Sequence, residues 1–339
     1  MRRLFLWLPI ICFLACQSVK QRPSVSEADY VIAFGSCNNQ RFENVLWKEV
    51  LKNDPEIWIW GGDNIYSDTD DMNVMRQHYN NQLQQKEYRE VMSRMKILGT
   101  WDDHDYGLND GGEEFHAKKE SQQLFLDFMS VDNDDPRRTQ EGVYHAEEIN
   151  TPEGNIKIIV LDTRYFRSAL TDTKETGKRY QPNPQGEGTM LGKAQWQWLE
   201  KELSSSRADF NLIVSSIQFL SGEHGFEAWS NFPHEVDQLK QLIATSGAKG
   251  VIVLSGDRHI SEFSRAPIEG LSYPLVDFTS SGLTHSYSDF TSEYNPHRVG
   301  KVVSDISFGL LRFDFDKKEV TMQIRGRENK VLGELVQGY

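Results

Sequence analysis

Short apolar runs recur along the chain at Tyr30–Phe34, Ile57–Trp60, Lys96–Gly99, Ile156–Leu161, Leu212–Ser215 and Val251–Leu254. Their length and their β-branched content predict buried strands. The stretches Asn44–Asn53, Val74–Met95, Lys193–Leu203 and Glu235–Thr245 instead carry apolar residues at helical spacing, which predicts helices between the strands. Alternation of this kind predicts an α/β domain with a largely parallel core sheet. Phe308–Phe315 and Val320–Arg325, separated by a short charged turn, read as a closing β-hairpin. The sequence has no internal repeat, no low-complexity tract and no second linker, so residues 29–339 read as one domain.

The first residues follow a different pattern. Arg2 and Arg3 precede the 12-residue apolar run Leu4–Ala15, which ends at Cys16. The run is shorter than the ~20 residues a membrane span needs and suits the apolar core of a signal peptide. Phe13-Leu14-Ala15-Cys16 resembles the bacterial lipobox, so residues 1–16 are expected to be a lipoprotein-type signal and Cys16 a lipid anchor at the periplasmic or cell surface. Arg-Arg-Leu-Phe-Leu also resembles the core of a twin-arginine export signal. Residues 17–28 are polar and aperiodic and read as a tether. With Cys12 and Cys16 assigned to the leader, Cys37 is the one remaining thiol and has no partner for an internal disulfide.

Chemistry collects where strands are predicted to end. In open α/β sheets, ligands bind beyond the carboxyl ends of the strands. Tyr30–Phe34 leads to Cys37, Ile57–Trp60 to Asp63, Asn64 and Tyr66, and Ile156–Leu161 to Asp162 and Arg164. Val251–Leu254 leads to Asp257, Arg258 and His259. Lys96–Gly99 runs into Leu98–Gly112, where Asp102, Asp103, His104, Asp105 and Asp110 crowd together with Asn109. Carboxylates packed this closely repel one another unless a cation turns them into ligands. Each feature also has an ordinary reading: a small core cysteine, a Gly-Asp turn, a surface ion pair, a space-filling tyrosine, a solvated acidic loop. Five accidents at the same end of one sheet are harder to account for than one shared site.

Composition narrows the partners. Of 339 residues, 38% are hydrophobic and 26% charged, as in ordinary globular domains. The net charge of −13 and pI near 5.2 argue against a nucleic-acid-binding face. A small anionic substrate stays open, because bound metal ions locally invert the field.

Gly35-Ser-Cys37, Gly62-Asp63-Asn-Ile-Tyr66, Trp101-Asp-Asp103-His104-Asp-Tyr-Gly-Leu-Asn109-Asp110, Leu161-Asp162-Thr-Arg164 and Leu254-Ser-Gly-Asp257-Arg-His259 resemble the alkaline phosphatase D (PhoD-like) family of metallophosphoesterases. Leu191–Leu199 and Thr279–His285 fit the same likeness, which covers about residues 30–320. Trp229–Glu235 resembles a further family segment with changed final residues. The resemblance implies an α/β fold, a four-layer metallophosphoesterase-type β-sandwich flanked by helices. The extra N-terminal β domain of better-known members is expected to be absent.

The resemblance also implies roles. Asp63 would bridge two ions, with Cys37, Tyr66 and His259 around Fe(3+) and with Asp103 and Asp257 around a second ion, Ca(2+). His104 would be the general acid or an electrostatic stabiliser, and Arg164 the guanidinium for a phosphate oxygen. Asn64, Asp102, Asp105 and Asn109 are secondary candidates. The implied reaction is in-line attack of metal-bound hydroxide on a phosphomonoester or phosphodiester, on other divalent metals if not those two. Alternatives are a phospholipase-like or teichoic-acid-type diesterase acting at a membrane or wall surface, and a non-catalytic, metal-dependent phosphate-binding lipoprotein.

Overall fold

The computed structural model describes residues 28–290 and 292–339. The expected leader at 1–16, and the tether up to its last residue, lie outside the described residues. The strands in chain order are β1 (Tyr30–Gly35), β2 (Ile57–Gly61), β3 (Lys96–Thr100), β4 (His145–Asn150), β5 (Asn155–Val160), β6 (Thr171–Asp172), β7 (Tyr180–Gln181), β8 (Phe210–Val214), β9 (Val251–Ser255), β10 (Ser261–Ala266), β11 (Leu275–Ser280), β12 (Arg298–Val303), β13 (Phe308–Asp314), β14 (Glu319–Arg325) and β15 (Val331–Gly338). The helices are α1 (Trp47–Leu51), α2 (Met72–Gln84), α3 (Lys86–Arg94), α4 (Asp103–Tyr106), α5 (Lys118–Phe128), α6 (Gly192–Ser205) and α7 (Pro233–Thr245).

Two large sheets form, ordered β15-β14-β13-β1-β2-β3 and β12-β10-β11-β9-β8-β5-β4, beside a small two-stranded ribbon of β6 and β7. A strand places alternate side chains on opposite faces, and here both faces are apolar. Ile32, Phe34, Ile57 and Ile59 of the first sheet meet Ile156, Ile158, Val160, Leu212, Val214, Ile252 and Leu254 of the second in one buried core. The alternate residues Val31, Ala33, Trp58 and Trp60 pack outward with residues of α1, α2, α3 and α5. Ile159, Ile213, Val251 and Val253 pack on the other side with Leu199, Leu203, Leu239 and Ile243 of α6 and α7. Three cores therefore separate four layers, helix, sheet, sheet, helix. The four-layer sandwich is the observed architecture.

The expected single, largely parallel sheet is instead the centre of each of two mixed sheets. Strands β1, β2 and β3 run parallel, as do β5, β8, β9 and β11, and antiparallel strands flank them. Sequence pattern alone missed β4, β6, β7, β10, β11, β12 and β15. In β10, Ser-Glu-Phe-Ser-Arg-Ala, buried Ser261, Glu262 and Ser264 break the apolar signal. Glu262 is matched by Arg298 at 2.5 Å and Ser264 by Asn295 at 2.8 Å, partners that only the fold supplies.

The helix expected over Val74–Met95 breaks at Gln85, whose ψ of 125° is extended. The break lets Met75 and Tyr79 on one side, and Tyr88 and Val91 on the other, reach the same outer core. The helix expected over Asn44–Asn53 is shortened to Trp47–Leu51, because Asn44 accepts from the Leu46 amide at 3.0 Å and holds a turn there.

The parallel strands of both sheets end on one side of the sandwich. An isolated parallel bridge between Ser36 and Ser281 ties those ends together. At Gly256 a Cβ would lie 2.5 Å from Ser36 Oγ and 2.7 Å from the Gly61 carbonyl, so only glycine permits that approach.

Candidate metal centre

Each strand-end turn aims a polar side chain into this convergence. Cys37, Asp63, Asp257 and His259 have φ values of 58°, 50°, 67° and 54°. Left-handed backbone costs a non-glycine residue roughly 1–3 kcal/mol in such settings and persists where the surroundings enforce it, often at functional sites. Asp102 caps α4, and Asp105 completes a reciprocal capping box with it.

One group of side chains gathers around Asp63 Oδ2. Cys37 Sγ lies 3.4 Å and Tyr66 Oη 3.2 Å from that oxygen, and Tyr66 Oη lies 2.8 Å from His259 Nε2. Ser281 Oγ approaches Cys37 Sγ at 2.9 Å and accepts from the His259 amide at 2.7 Å. Asp63 Oδ1 instead accepts from the His104 amide at 3.3 Å. Potential ligand atoms within 4.8 Å of one another fall into three groups: Cys37, Asp63 and His259; Asp63, Asp103 and His104; Asp102, Asp103 and Asp257. Asp63 and Asp103 each belong to two groups, so the set is continuous.

Electrostatics in the protein alone are unfavourable to these acids. Burial, then Asp257, pushes the Cys37 thiol up to about 12. Burial raises Asp63 well above the carboxylate range despite His104, and raises Tyr66 further beyond the usual phenol value. Burial also lifts Asp257 to about 7 although Arg258 opposes it. Asp103 is the exception: Arg164 and His104 outweigh burial and hold it below the usual range. Asp102 Oδ2 and Asn64 Oδ1 are buried acceptors without a protein partner. Buried acceptors and acids kept neutral by desolvation fit a centre that a cation would complete. The chemistry of the donors agrees: thiol, phenol and imidazole on one side, carboxylates on the other.

Burial pulls the His104 imidazole down, but Asp63, Asp68 and Asp103 outweigh it and push it up to about 11. Asp68 Oδ1 holds His104 Nδ1 at 2.7 Å, which leaves Nε2 for a ligand. Asp68 was not singled out in the sequence, because it sits in an acidic run, Asp68-Thr-Asp-Asp71, where nothing marks one carboxylate.

Arg164 departs from expectation. Its side chain is 0% exposed, and its Nε donates to Asp102 Oδ1 at 2.5 Å while Nη1 lies 2.6 Å from Glu227 Oε2. Arg167 Nε holds the other Glu227 oxygen at 3.0 Å. A guanidinium enclosed by two carboxylates cannot reach a phosphate oxygen, so Arg164 positions Asp102 instead. Asp162 likewise serves the backbone, accepting from the amides of Val143, Arg164 and Tyr165, each at 2.9 Å. Asp105 Oδ2 holds Asn64 Nδ2 at 2.5 Å and Oδ1 holds the Asp102 amide at 2.6 Å, which makes it a support for its neighbours.

A cleft of about 290 Å³ opens over Asp103, His104, Asn109, Asp257 and His259. Its other walls are Asp110, Arg179, Phe226, Glu227, Arg258, Tyr287 and Glu293. Phe226, Glu227, Tyr287 and Glu293 come from loops with no motif or period to betray them.

Residues 32–323, which take in strands of both sheets and every strand-end turn, match the PhoD-like phosphatase model, and the chain belongs to that family. Alkaline phosphatase D of Bacillus subtilis (strain 168) is 29% identical over 160 residues, which are 41% of this chain and 27% of that enzyme. The match thus spans about a quarter of the curated relative. A solved structure of PhoD superposes with a TM-score of 0.71 at 17% identity, covering 91% of this chain and 68% of that one. GAP50, described as the anchor in the inner membrane complex of Plasmodium, gives 0.59 at 11% identity over 92% of this chain and 89% of its own. A dimetal phosphatase from Danio rerio gives 0.51 at 13% identity over 92% of this chain and 100% of its own. Likeness this remote in sequence concerns the fold alone.

Proposed function

We propose that the protein is an exported, metal-dependent phosphoester hydrolase with a two-metal centre, acting on phosphomonoesters, phosphodiesters or both. The observation that carries this reading is Asp63, whose Oδ2 lies in the Cys37, Tyr66 and His259 group while Oδ1 faces the His104 amide beside Asp103. A carboxylate with an oxygen in each of two ligand groups suits a bridge. A thiolate from Cys37 and a phenolate from Tyr66 would together neutralise and favour a trivalent first ion such as iron(III) better than imidazoles would, and the carboxylates of Asp103 and Asp257 favour an oxygen-seeking ion such as calcium. The unpartnered oxygens of Asn64 and Asp102 make these two the next candidates. When bound, such ions supply Lewis acidity and an activated water.

The chain's own residues do the rest. His104, kept protonated by Asp68 and neighbouring carboxylates, donates a proton to the departing oxygen from Nε2. Arg164 and Glu227 lock Asp102 in place, and Asp105 locks Asn64. Export through the Leu4–Ala15 run and lipid anchoring at Cys16 belong to the same proposal. So does a substrate met at a membrane or wall surface. Among the described residues no helix is long and apolar enough to cross a membrane.

Metal analysis of the purified protein, beside turnover of p-nitrophenyl phosphate and its bis-ester, tests the reading. Stoichiometric metal with turnover of either ester is expected, and the ratio of the two rates separates monoesterase from diesterase. Bound phosphate without turnover would leave a binding protein on a phosphatase fold.

A further inference from the structure

We infer that Arg258, carried on the face of Phe226, is the guanidinium that grips the phosphoryl group in the cleft. The inference rests on the proposed phosphoester chemistry. It starts from a gap: Arg164 is sealed between Asp102 and Glu227, so an anionic phosphoester meets no cation from it. Two arginines do line the cleft, Arg179 and Arg258. Several acids line it too, so a phosphoryl group needs a fixed positive charge beyond the ions themselves.

Arg258 is held on three sides. It follows Asp257 and precedes His259 in the chain, both in the ligand groups, so its backbone is fixed relative to the centre. Its Nη2 is anchored by Glu293 Oε1 at 2.7 Å, and Arg298 Nη1 in turn fixes the Glu293 carbonyl at 2.7 Å. Its guanidinium lies 4.3 Å from the Phe226 ring centroid, and Phe226 stacks on buried His224 at 6.0 Å. The side chain is 13% exposed, and its Nε has no protein acceptor. A guanidinium already ordered loses little freedom when it binds an anion. Arg179 is the contrasting case. It is 58% exposed, tied to Asp110 at 2.9 Å, and 5.8 Å from the same ring, so it makes a weaker, outer contact.

The test uses the metal-loaded full chain, with inorganic phosphate as the probe and calorimetry beside steady-state kinetics on p-nitrophenyl phosphate. Arg258→Lys, which keeps charge but loses the planar fork, is expected to weaken phosphate binding about 10-fold. Arg258→Ala is expected to cut kcat/KM about 100-fold with metal content unchanged, and added guanidinium ion at sub-denaturing concentration to restore part of it. Phe226→Leu, which removes only the platform, should weaken phosphate binding several-fold. Arg179→Gln should lose less than Arg258→Lys.

Wild-type affinity for phosphate in Arg258→Ala would overturn the assignment, as would losses that follow metal loss and ignore guanidinium. Phosphate binding by a wild type that turns over neither ester would end the hydrolase reading while the variants still decide this one. A metal-loaded wild type that neither binds phosphate nor turns over either ester would end both.

Discussion

Asp63 and Asp102 are adjacent buried carboxylates with different partners, and their replacement separates two kinds of loss. Asp63 touches only candidate ligands and the His104 amide, so Asp63→Ala is expected to abolish turnover of both esters and to release metal. The protein should stay folded, because removing a desolvated, strongly perturbed acid relieves as much as it costs. Asp102 answers Arg164 and accepts from Ser216 Oγ at 2.8 Å. Asp102→Ala leaves a fully buried guanidinium with Glu227 as its one carboxylate partner, a loss below the about 3–5 kcal/mol of a wholly unpaired buried charge, so its main effect should appear in denaturant melts. Equal stability of the two variants, at matched metal content, would contradict this division.

The elements that matter most are the turns after β1, β2, β3 and β9, and glycine controls two of them, Gly256 after β9 and Gly62 after β2. Gly62 has φ of 97°, and a Cβ there would lie 2.6 Å from Asp102 Cβ and 3.0 Å from Ser216 Cβ. Gly62→Ala therefore combines backbone strain with a clash against the turn that carries Asp102 and Asp103. A loss of about 2–4 kcal/mol is expected, with a fall in metal content that urea melts and metal analysis would register together. A variant as stable and as metal-rich as wild type would mean that the β2 and β3 turns are free to separate. Helix placement followed the same logic of fit: the break at Gln85 has no glycine or proline to announce it, and arises because α2 and α3 cover one sheet together.

At the scale of the molecule, the two sheets close over a concentration of acid that the fold alone does not neutralise. Asp63, Asp102 and Asp257 are all raised by burial, Asp257 to about 7. Acids with raised folded values lend stability that is fully present below their unfolded value near 3.9 and lost as pH rises through the folded value. Asp103, held low, titrates beneath that window. Metal-free protein should therefore weaken from about pH 4 to 7, whereas bound cations hold the same carboxylates ionised without that loss. The difference in melting temperature between metal-loaded and chelator-treated protein is expected to widen across that interval. A gap independent of pH would show that the carboxylates are not where metal and stability are coupled.

Strand alternation, both-faced hydrophobicity and the polar residues after each run were local properties, and they determined the α/β class and a candidate set. Cys37, Asp63, Tyr66, Asp103, His104, Asp257 and His259 were legible because each follows a short strand pattern within a few residues, weakest at Lys96–Thr100 with its two large apolar side chains, and parallel strands deliver their ends to one side. The number of sheets was not local. Whether Ile158 and Ile159 face one partner layer or two depends on what packs against them, and strands with buried polar residues such as β10 exist only because Arg298 and Asn295 arrive from elsewhere. Arg164 and Arg258 make the same point about chemistry. Both follow an aspartate at a strand end, and nothing in their neighbours distinguishes them. Burial decided: Asp102 and Glu227 close over one guanidinium, while Phe226 and Glu293 hold the other open to the cleft.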